Sequence, residues 1–278
     1  IHPGCGFLSE NPDFVRACEE RGVIFIGPTA EQMECFAFKH NARALAERFK
    51  APLLPGSQLI PDVETAIQFS ELIGFPVILK STAGGGGIGM QVCWASEEIE
   101  EAFHSVKRLS ENNFANSGMF IEKYLPKARH IEVQVFGDGE GYVAVLGDRD
   151  CSTQRRHQKL IEEAPAPDLS RSTRDQLFEV SRRLMGGINY RNAGTVEFIY
   201  DTETHDFYFL EVNTRLQVEH GITEAVYGVD LVEWMIKLAA GELAPLLQLE
   251  ARLYPLGHAI QARIYAEDPN KQFQPSSG

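Results

Sequence analysis

The run of four glycines from Gly84 to Gly87 is the strongest chemical signal in the sequence, because apolar stretches flank it on both sides. Glycine lets the backbone approach a ligand and turn several N–H groups toward one anion. Gly84, Gly86 and Gly89 formally satisfy the G-x-G-x-x-G pattern, but a strand-like run follows where a dinucleotide-binding loop requires a helix. Lys80 precedes the loop, whereas a Walker loop ends on its lysine. We therefore predict a flap over a triphosphate, with Lys80 contacting phosphate, in preference to a flexible turn.

Two glutamates and an asparagine interrupt neighbouring apolar stretches. Glu197 lies in the run from Gly194 to Tyr200, and Glu211 and Asn213 lie in the run from Phe209 to Arg215. An unpaired charge in an apolar strand is costly. If the two runs pair as a hairpin, these side chains come together on one face and offer oxygen ligands suited to magnesium. The alternative is a structural ion pair with a nearby arginine.

Cationic side chains follow in two places. Arg215 and Glu219 are four residues apart, directly after the metal candidates, which would place an anion clamp beside a base. Taken alone, such a pair is usually a surface ion pair. The segment from Arg149 to Lys159 concentrates cations in an otherwise acidic chain. It is typical of a solvated basic loop, but together with the glycine loop it indicates half of an anion site.

Apolar periodicity predicts a mixed α+β chain whose adjacent strands favour antiparallel pairing over a barrel or a doubly wound sheet. Asp62, Ser96, Ser170 and Asp230 are predicted to cap helices. The predicted helices are 11–21, 31–49, 62–73, 96–109, 170–185 and 230–240, and the predicted strands are 23–26, 77–80, 90–94, 119–124, 131–136, 142–146, 194–200, 207–212 and 259–265.

Composition excludes several classes of function. The chain has 278 residues, with 39 acidic against 26 basic side chains and a formal charge of −13. That balance argues against binding to nucleic acid or to an anionic membrane, and no apolar run has the roughly 20 residues of a membrane span. The five cysteines are scattered and form no Cys-x-x-Cys pair. A reducing compartment fits best, so we expect a cytoplasmic location or the mitochondrial matrix.

Several stretches together resemble the biotin carboxylase component of biotin-dependent carboxylases, a branch of the ATP-grasp superfamily. The likeness extends along the whole chain. Lys80 to Ala83 with Ile88 looks more like urea carboxylases, including the carboxylase part of urea amidolyases, than acyl-CoA or pyruvate carboxylases, since the family usually has a basic residue in place of Ile88. The matching stretches are His2–Glu10, Lys80–Met90, Glu122–Leu125, Arg129–Gln134, Asp148–Pro167, Glu211–His220 and His258–Pro269.

The resemblance implies a role for each matched site residue. Lys39 and Lys80 hold ATP phosphates beneath a glycine lid that includes Gly85, Gly86 and Gly87. The adenine is met by Glu122, Lys123 and Leu125, and the nucleotide site is lined by His130, Gln154 and His157. The Mg²⁺ or Mn²⁺ ligands are Glu197, Glu211 and Asn213. The bicarbonate pocket consists of Lys159, Arg215, Gln217 and Val218. Glu219 is the base that deprotonates bicarbonate, and Arg263 stabilises the biotin enolate.

The implied reaction passes through carboxyphosphate, which breaks down to CO2 and phosphate before N1 of biotin captures the CO2. Implied partners are ATP, bicarbonate, a biotin carrier domain and a carboxyltransferase domain. The implied fold is an ATP-grasp domain over residues 39–240, with a lid subdomain at about 52–124. Residues 1–38 and 241–278 would be partial N-terminal and C-terminal biotin carboxylase subdomains, so we expect a fragment of a larger enzyme. Another ATP-grasp ligase with an acyl-phosphate intermediate, or a non-catalytic ATP-binding fragment, remains an alternative.

Overall fold

The computed structural model describes residues 1–82, 89–113, 118–155 and 158–276, without the side chains of residues 112 and 113. The chain combines α-helices with antiparallel sheets, as predicted. Its helices are α1 (Pro12–Glu19), α2 (Ala30–Ala37), α3 (Lys39–Arg48), α4 (Val63–Ile73), α5 (Ile99–Asn113), α6 (Arg171–Gly186), α7 (His220–Tyr227), α8 (Leu231–Ala240) and α9 (Leu246–Glu250). Its strands are β1 (Val77–Ser81), β2 (Met90–Cys93), β3 (Met119–Lys123), β4 (Ala128–Asp138), β5 (Val143–Arg155), β6 (Gln158–Ala164), β7 (Arg191–Asp201), β8 (Phe207–Asn213), β9 (Ala259–Ala262), β10 (Glu267–Asp268) and β11 (Gln274–Pro275).

A six-stranded sheet forms the centre of the molecule, with the strand order β8-β7-β4-β5-β6-β9 and antiparallel pairing throughout. Strand β4 shows how its two faces differ. Ile131, Val133 and Val135 belong to the main apolar cluster, whereas Glu132 and Gln134 point to the opposite face. The sheet therefore has an apolar side on which helices pack and a side that carries buried polar groups.

Register brings three glutamates into one line across that polar face. Glu132 on β4 is paired with Glu197 on β7, and Glu197 is paired with Glu211 on β8. We call Glu132, Glu197 and Glu211 the carboxylate row. On the other side of β4, Glu132 is paired with Arg149 on β5. Four ionisable side chains from four adjacent strands thus lie next to one another.

A smaller sheet with the order β2-β1-β3 has an apolar core of its own, to which α4 and α5 contribute Ala66, Ile99 and Phe103. Helix α4 begins as predicted, since Asp62 Oδ1 accepts a hydrogen bond from the Thr65 amide at 2.8 Å. The predicted glycine flap connects β1 to β2. Its residues Gly85, Gly86 and Gly87 lie outside the described residues.

Most predicted elements are confirmed, including the hairpin of β7 and β8. Two predictions are wrong near the N-terminus. Residues 23–26 form no strand within the described chain, and the segment instead bonds to the first residue through the Ile26 amide and the Ile1 carbonyl, at 2.9 Å. The single helix over residues 31–49 is two helices, because Phe38 is extended with φ −112° and ψ 132°. This break makes Lys39 the first residue of α3.

Further along, the differences concern boundaries. Ser96 begins a 3₁₀ turn rather than capping a helix, and α5 runs beyond residue 109. The predicted last strand ends at Ala262 instead of residue 265. The basic segment is not a loop where it is described, because β5 extends to Arg155 and β6 begins at Gln158. In the described residues, no helix is long and apolar enough to cross a bilayer.

Candidate active site

A cavity of about 690 Å³ gathers the predicted site residues between the two sheets. Glu122 is outside its lining but borders a small adjoining cavity together with Lys39 and Lys80. Predicted residues that line the main cavity are Lys39, Lys80, Lys123, Leu125, His130, Gln154, Lys159, Glu197, Glu211, Asn213, Arg215, Gln217, Val218, Glu219 and Arg263. His157, like the three lid glycines, lies outside the described residues.

The small cavity adjoins the main one at Lys39, Arg43, Lys80 and Glu122, and we call this region the phosphate end after the ligand predicted for it. The Lys80 ammonium donates to Glu122 Oε2 at 2.5 Å, and Arg43 donates to Glu122 Oε1 at 2.6 Å. Arg43 also donates to the Leu54 carbonyl at 2.6 Å, which anchors α3 to the chain ahead of the small sheet. Lys80 and Arg43 hold the pKa of Glu122 below its ordinary value, although burial opposes this shift.

Lys39 differs from its neighbours at the phosphate end. Within the described ranges, no hydrogen bond or ion pair reaches its ammonium group. Burial and the positive charge of Lys80 lower its pKa. An uncompensated cation in a cavity is a ready partner for an anionic ligand.

At the other end, Lys159, Glu197, Glu219 and Arg263 line the cavity, and Glu132 contacts Lys159. We call these five residues the bicarbonate end after the ligand predicted for it. Lys159 lies at its centre and donates to Glu132, to Glu197 at 2.9 Å and to Glu219 at 2.8 Å. Burial opposes ionisation of Lys159, but the three carboxylates raise its pKa. In return, despite burial and the nearby Glu197, Lys159 helps lower the pKa of Glu132 to about 2.

Glu219, the predicted base, lies between two cations. Its Oε1 accepts from Lys159, and its Oε2 accepts from Arg263 at 2.9 Å. Arg263 is itself held by Glu162, whose Oε1 accepts from Arg263 Nε at 2.6 Å. Glu219 is buried and immediately precedes α7. Its carboxylate is thus held between two cationic side chains at a buried position.

Arg215 is turned toward the N-terminal segment as well as toward the site. Its Nε donates to Glu10 Oε2 at 2.8 Å, and its Nη2 donates to Asn213 Oδ1 at 3.1 Å. Glu10 also accepts from the Thr214 amide at 2.9 Å. The N-terminal segment therefore orients a residue of the predicted bicarbonate pocket, and Cys5 from the same segment lines the cavity.

The predicted metal ligands suit a divalent cation. Glu197 and Glu211 are paired across β7 and β8, and burial together with Glu197 raises the pKa of Glu211. Two neighbouring carboxylates, of which Glu197 is buried and Glu211 is partly exposed, are hard ligands of the kind that Mg²⁺ prefers. Asn213 Nδ2 donates to Glu197 Oε1 at 2.7 Å, which places its amide in the same group.

His130, on β4, lies next to two glutamates of the carboxylate row. Its Nε2 lies 2.9 Å from Glu197 Oε2 and 3.2 Å from Glu132 Oε1. Burial alone would lower the pKa of this imidazole, but the two carboxylates raise it to about 10. We infer that the protonated imidazole of His130 balances part of the negative charge of the carboxylate row.

Sequence reasoning assigned no site role to Arg43, Glu132 or Glu162, and it placed Arg149 only within the basic segment predicted to form half of an anion site, whereas Arg149 is absent from the described lining of the cavity. A signal for Glu132 was available, since it interrupts the apolar alternation around Ile131 and Val133 just as Glu197 interrupts its own strand. Arg149 and Glu162 act through contacts between strands, which no local pattern reveals.

Comparison with known protein families identifies the family to which the chain belongs. Residues 39–247 match the family described as "Carbamoyl-phosphate synthase L chain, ATP binding domain". Residues 1–33 match the family described as "Biotin carboxylase, N-terminal domain". The chain belongs to the biotin carboxylase family of ATP-grasp proteins. The predicted ATP-grasp fold is thereby confirmed.

Relatives of this biotin carboxylase chain come from several carboxylases. It is 50% identical to the urea amidolyase of Saccharomyces cerevisiae over 278 residues, which is 100% of this chain and 15% of the yeast protein. It is 46% identical to the mitochondrial methylcrotonoyl-CoA carboxylase subunit alpha of Rattus norvegicus, covering 100% of this chain and 39% of the rat protein. Identity at these levels does not separate a urea carboxylase from an acyl-CoA carboxylase.

Two solved structures resemble the chain closely. The biotin carboxylase–β-γ-ATP complex from Campylobacter jejuni gives a TM-score of 0.93 at 46% identity, over 99% of this chain and 61% of that one. The biotin carboxylase domain of 2-oxoglutarate carboxylase from Hydrogenobacter thermophilus, in complex with MgADP, ADP and bicarbonate, gives 0.92 at 42% identity, over 99% of this chain and 60% of that one.

Proposed function

We propose that the chain carries out the ATP-dependent carboxylation of biotin by bicarbonate, as part of a urea carboxylase-like enzyme. The observation that carries this proposal is the position of Glu219 between Lys159 and Arg263 in a buried pocket. A base flanked by two cations is suited to bind an anion and then accept its proton.

Bicarbonate would enter among Lys159, Arg215, Gln217 and Val218. Its negative charge competes with Glu219 for the donors that now hold that carboxylate. Once those donors turn to the substrate, the Glu219 carboxylate is free to accept a hydrogen bond from bicarbonate. Glu219 then accepts the bicarbonate proton at the moment when the substrate is in place.

Phosphoryl transfer would follow at the phosphate end. An oxygen of bicarbonate forms a bond to the γ-phosphorus of ATP while the bond to ADP breaks, giving carboxyphosphate. Lys39 and Lys80 stabilise the charge that develops on the phosphoryl oxygens. Bound through Glu197, Glu211 and Asn213, Mg²⁺ or Mn²⁺ would add positive charge at the phosphates.

The second half of the reaction would use the products of the first. Carboxyphosphate breaks down to CO2 and phosphate, phosphate takes the proton of the biotin ureido nitrogen N1, and N1 bonds to CO2. Arg263 is the side chain placed to balance negative charge on the ureido oxygen. Water would otherwise consume the labile intermediate, so these steps require a site from which water is excluded.

Glu122, Lys123 and Leu125 would meet the adenine. The Lys123 ammonium donates to the carbonyls of Gly74 and Phe75, each at 2.9 Å, so its position is fixed before a nucleotide binds. Gln154 donates to the Cys151 carbonyl at 2.9 Å and lines the same cavity.

The test of this proposal is ADP release measured with and without bicarbonate and biotin. We expect release to depend on both, and Glu219→Gln to lower it by roughly 10²- to 10⁴-fold, the range typical of losing a general base. Glu203→Gln is the matched control, because Glu203 is an exposed glutamate that does not line the cavity. Unchanged turnover in Glu219→Gln would remove the base role.

Two other outcomes would favour the alternatives. ADP release without any stimulation by biotin would favour another ATP-grasp ligase. Binding of ATP without release of ADP would favour a non-catalytic ATP-binding domain.

The urea assignment rests on Lys80 to Ala83 with Ile88 and on the urea amidolyase likeness. The complete enzyme is expected to carry a biotin carrier domain and a carboxyltransferase domain, in the same or a partner chain. Urea-dependent ATP consumption by that enzyme would support the assignment. Consumption that responds to an acyl-CoA or to pyruvate, and not to urea, would replace it.

A further inference from the structure

A fully buried arginine lies directly behind the bicarbonate end. Arg149 has no exposed surface, and it is absent from the described residues that line the cavity. It is the largest of the fully buried side chains. Burial of a guanidinium is costly unless every donor is satisfied.

All three nitrogens of Arg149 donate to side chains from four neighbouring elements. The acceptors are Glu132 Oε2 at 3.2 and 3.1 Å, Gln134 Oε1 at 2.6 Å, Thr223 Oγ1 at 3.0 Å, Thr195 Oγ1 at 3.2 Å and Gln217 Oε1 at 2.9 Å. The planar group thus connects β4, β7, α7 and the segment after β8. No other side chain type has five donors in this fixed geometry.

The contact with Gln217 determines which way its amide points. Arg149 has no acceptor, so it can face only the oxygen of that amide. Gln217 Nε2 is consequently turned away from it and donates to Glu197 Oε1 at 3.0 Å. The amide N–H₂ is presented on the cavity side, where a bicarbonate oxygen needs a donor.

The contact with Glu132 has a similar effect on Lys159. Arg149 occupies Oε2 of Glu132, which leaves Oε1 to accept from Lys159. Arg149 therefore orients Gln217 and Glu132, and through Glu132 it orients Lys159, although it is absent from the described lining of the cavity.

We propose that Arg149 is a positioning residue for bicarbonate, which acts by fixing the amide orientation of Gln217 and the carboxylate of Glu132 that holds Lys159. This proposal rests on the proposed function. It extends that function by assigning bicarbonate recognition partly to a residue that does not touch the substrate.

Arg149→Lys is the central test, because it keeps the charge and removes the planar set of donors. We expect the KM for bicarbonate to rise by roughly 10- to 100-fold, the size of one to two lost charge-assisted hydrogen bonds, with the KM for ATP changed less than about 2-fold. Arg174→Lys is the matched control, since Arg174 also donates to a buried carboxylate, Asp148, but away from the cavity. Equal losses for both substrates in Arg149→Lys would overturn the proposal.

A second variant keeps the proposal testable if Arg149→Lys folds poorly. Thr223→Val removes one acceptor of Arg149 and leaves the other contacts in place. We expect it to raise the KM for bicarbonate by roughly 2- to 5-fold, and to add little further effect when combined with Gln217→Leu, because both changes act on the same amide. Effects that simply add would contradict an action through Gln217.

Side-chain NMR separates a failure of this proposal from a failure of the proposed function. The amide signal of Gln217, assigned by its loss in Gln217→Leu, can be followed in protein labelled with ¹⁵N-glutamine. We expect Arg149→Lys to shift that signal and speed its exchange with water, whether or not the protein turns over. An unchanged signal would overturn the positioning role. Absence of bicarbonate-dependent turnover in the unmodified protein would reject only the function.

Discussion

The two ends of the cavity treat positive charge in opposite ways. At the phosphate end, Lys80 and Arg43 share one carboxylate, and Lys39 has no partner within the described residues. At the bicarbonate end, Lys159 contacts three carboxylates, and Arg263 contacts two. One end has an excess of cations, and the other has its cations fully paired.

This difference matches the ligands that we propose for each end. A triphosphate has several negative charges, so Lys39, which has no partner within the described residues, can bind it without giving up an existing contact. Bicarbonate has a single charge and must displace a carboxylate from Lys159 or Arg263 to bind. In the proposed function the displaced group would be Glu219, so substrate binding and activation of the base would become one event. Substitutions that treat the two ends differently can test this interpretation.

The largest effect is expected for Lys159→Met. It leaves Glu132, Glu197 and Glu219 without their shared cation, and removal of one partner from a buried ion pair typically costs about 3–5 kcal/mol. Lys80→Met should cost less, because Glu122 keeps Arg43. Urea unfolding of both variants gives the free energies of unfolding. Equal losses of unfolding free energy in the two variants would show that Lys159 and Lys80 contribute equally to stability.

Lys39→Met should separate ligand binding from stability. We expect ATP affinity to fall by roughly 10- to 100-fold, because a charge-assisted contact to phosphate is lost. The free energy of unfolding should not fall, since burial and Lys80 already disfavour the ammonium, as its lowered pKa indicates. Calorimetry with Mg-ATP and urea unfolding measure the two quantities, with the exposed Lys107→Met as control. A loss of stability without a loss of affinity would contradict the assignment of Lys39 to phosphate.

The Glu122 ion pairs predict a dependence of stability on pH. Lys80 and Arg43 lower the pKa of Glu122 below its ordinary 4.5, so the folded state binds this proton less readily than the unfolded state. The resulting stability is present above pH 4.5 and is lost as the pH falls toward the folded pKa. We expect Glu122→Gln to be less stable than the unmodified protein by about 1–2 kcal/mol at pH 7, the scale of a hydrogen bond to a charged group. Unfolding at a series of pH values should show that the difference in free energy of unfolding between the two proteins narrows below pH 4.5. A difference that widens in acid would contradict the lowered pKa of Glu122.

The smallest effect is expected on the surface. Lys127 and Glu203 form an ion pair of 2.8 Å with both side chains largely exposed. Lys127→Ala should change the free energy of unfolding by less than about 0.5 kcal/mol, because solvent screens such pairs. Urea unfolding of this variant sets the baseline against which Lys159 and Lys80 are judged. A loss comparable with that of Lys80→Met would mean that burial does not distinguish the cavity pairs.

Local patterns predicted much of the fold. The cap at Asp62 and the hairpin of β7 and β8 depend on residues close together in sequence, so both were predictable. The break at Phe38 was not, because neither proline nor glycine marks it. Nor did charge alone show that β5 continues into the basic segment and turns Arg149 inward.

At the site, the family resemblance identified residues whose proximity in space could not be inferred from the local sequence. Glu197 and Glu211 were visible as charges within apolar strands. Their alignment with Glu132 depends on pairing between β4 and β7, which are separated by two strands and a helix along the chain. Contacts of this kind are decided by the whole sheet and leave no mark within a short window of sequence.

The carboxylate row also bears on how the protein reaches its native state. Neighbouring members of the row on β4 and β7 meet only after distant parts of the chain have paired, and such non-local pairing tends to be slow. The complete carboxylate row therefore cannot exist in a partly folded chain that lacks this pairing. Recovery of Mg²⁺-dependent nucleotide binding during refolding should lag behind recovery of helical structure, which makes the site a reporter of completed sheet assembly.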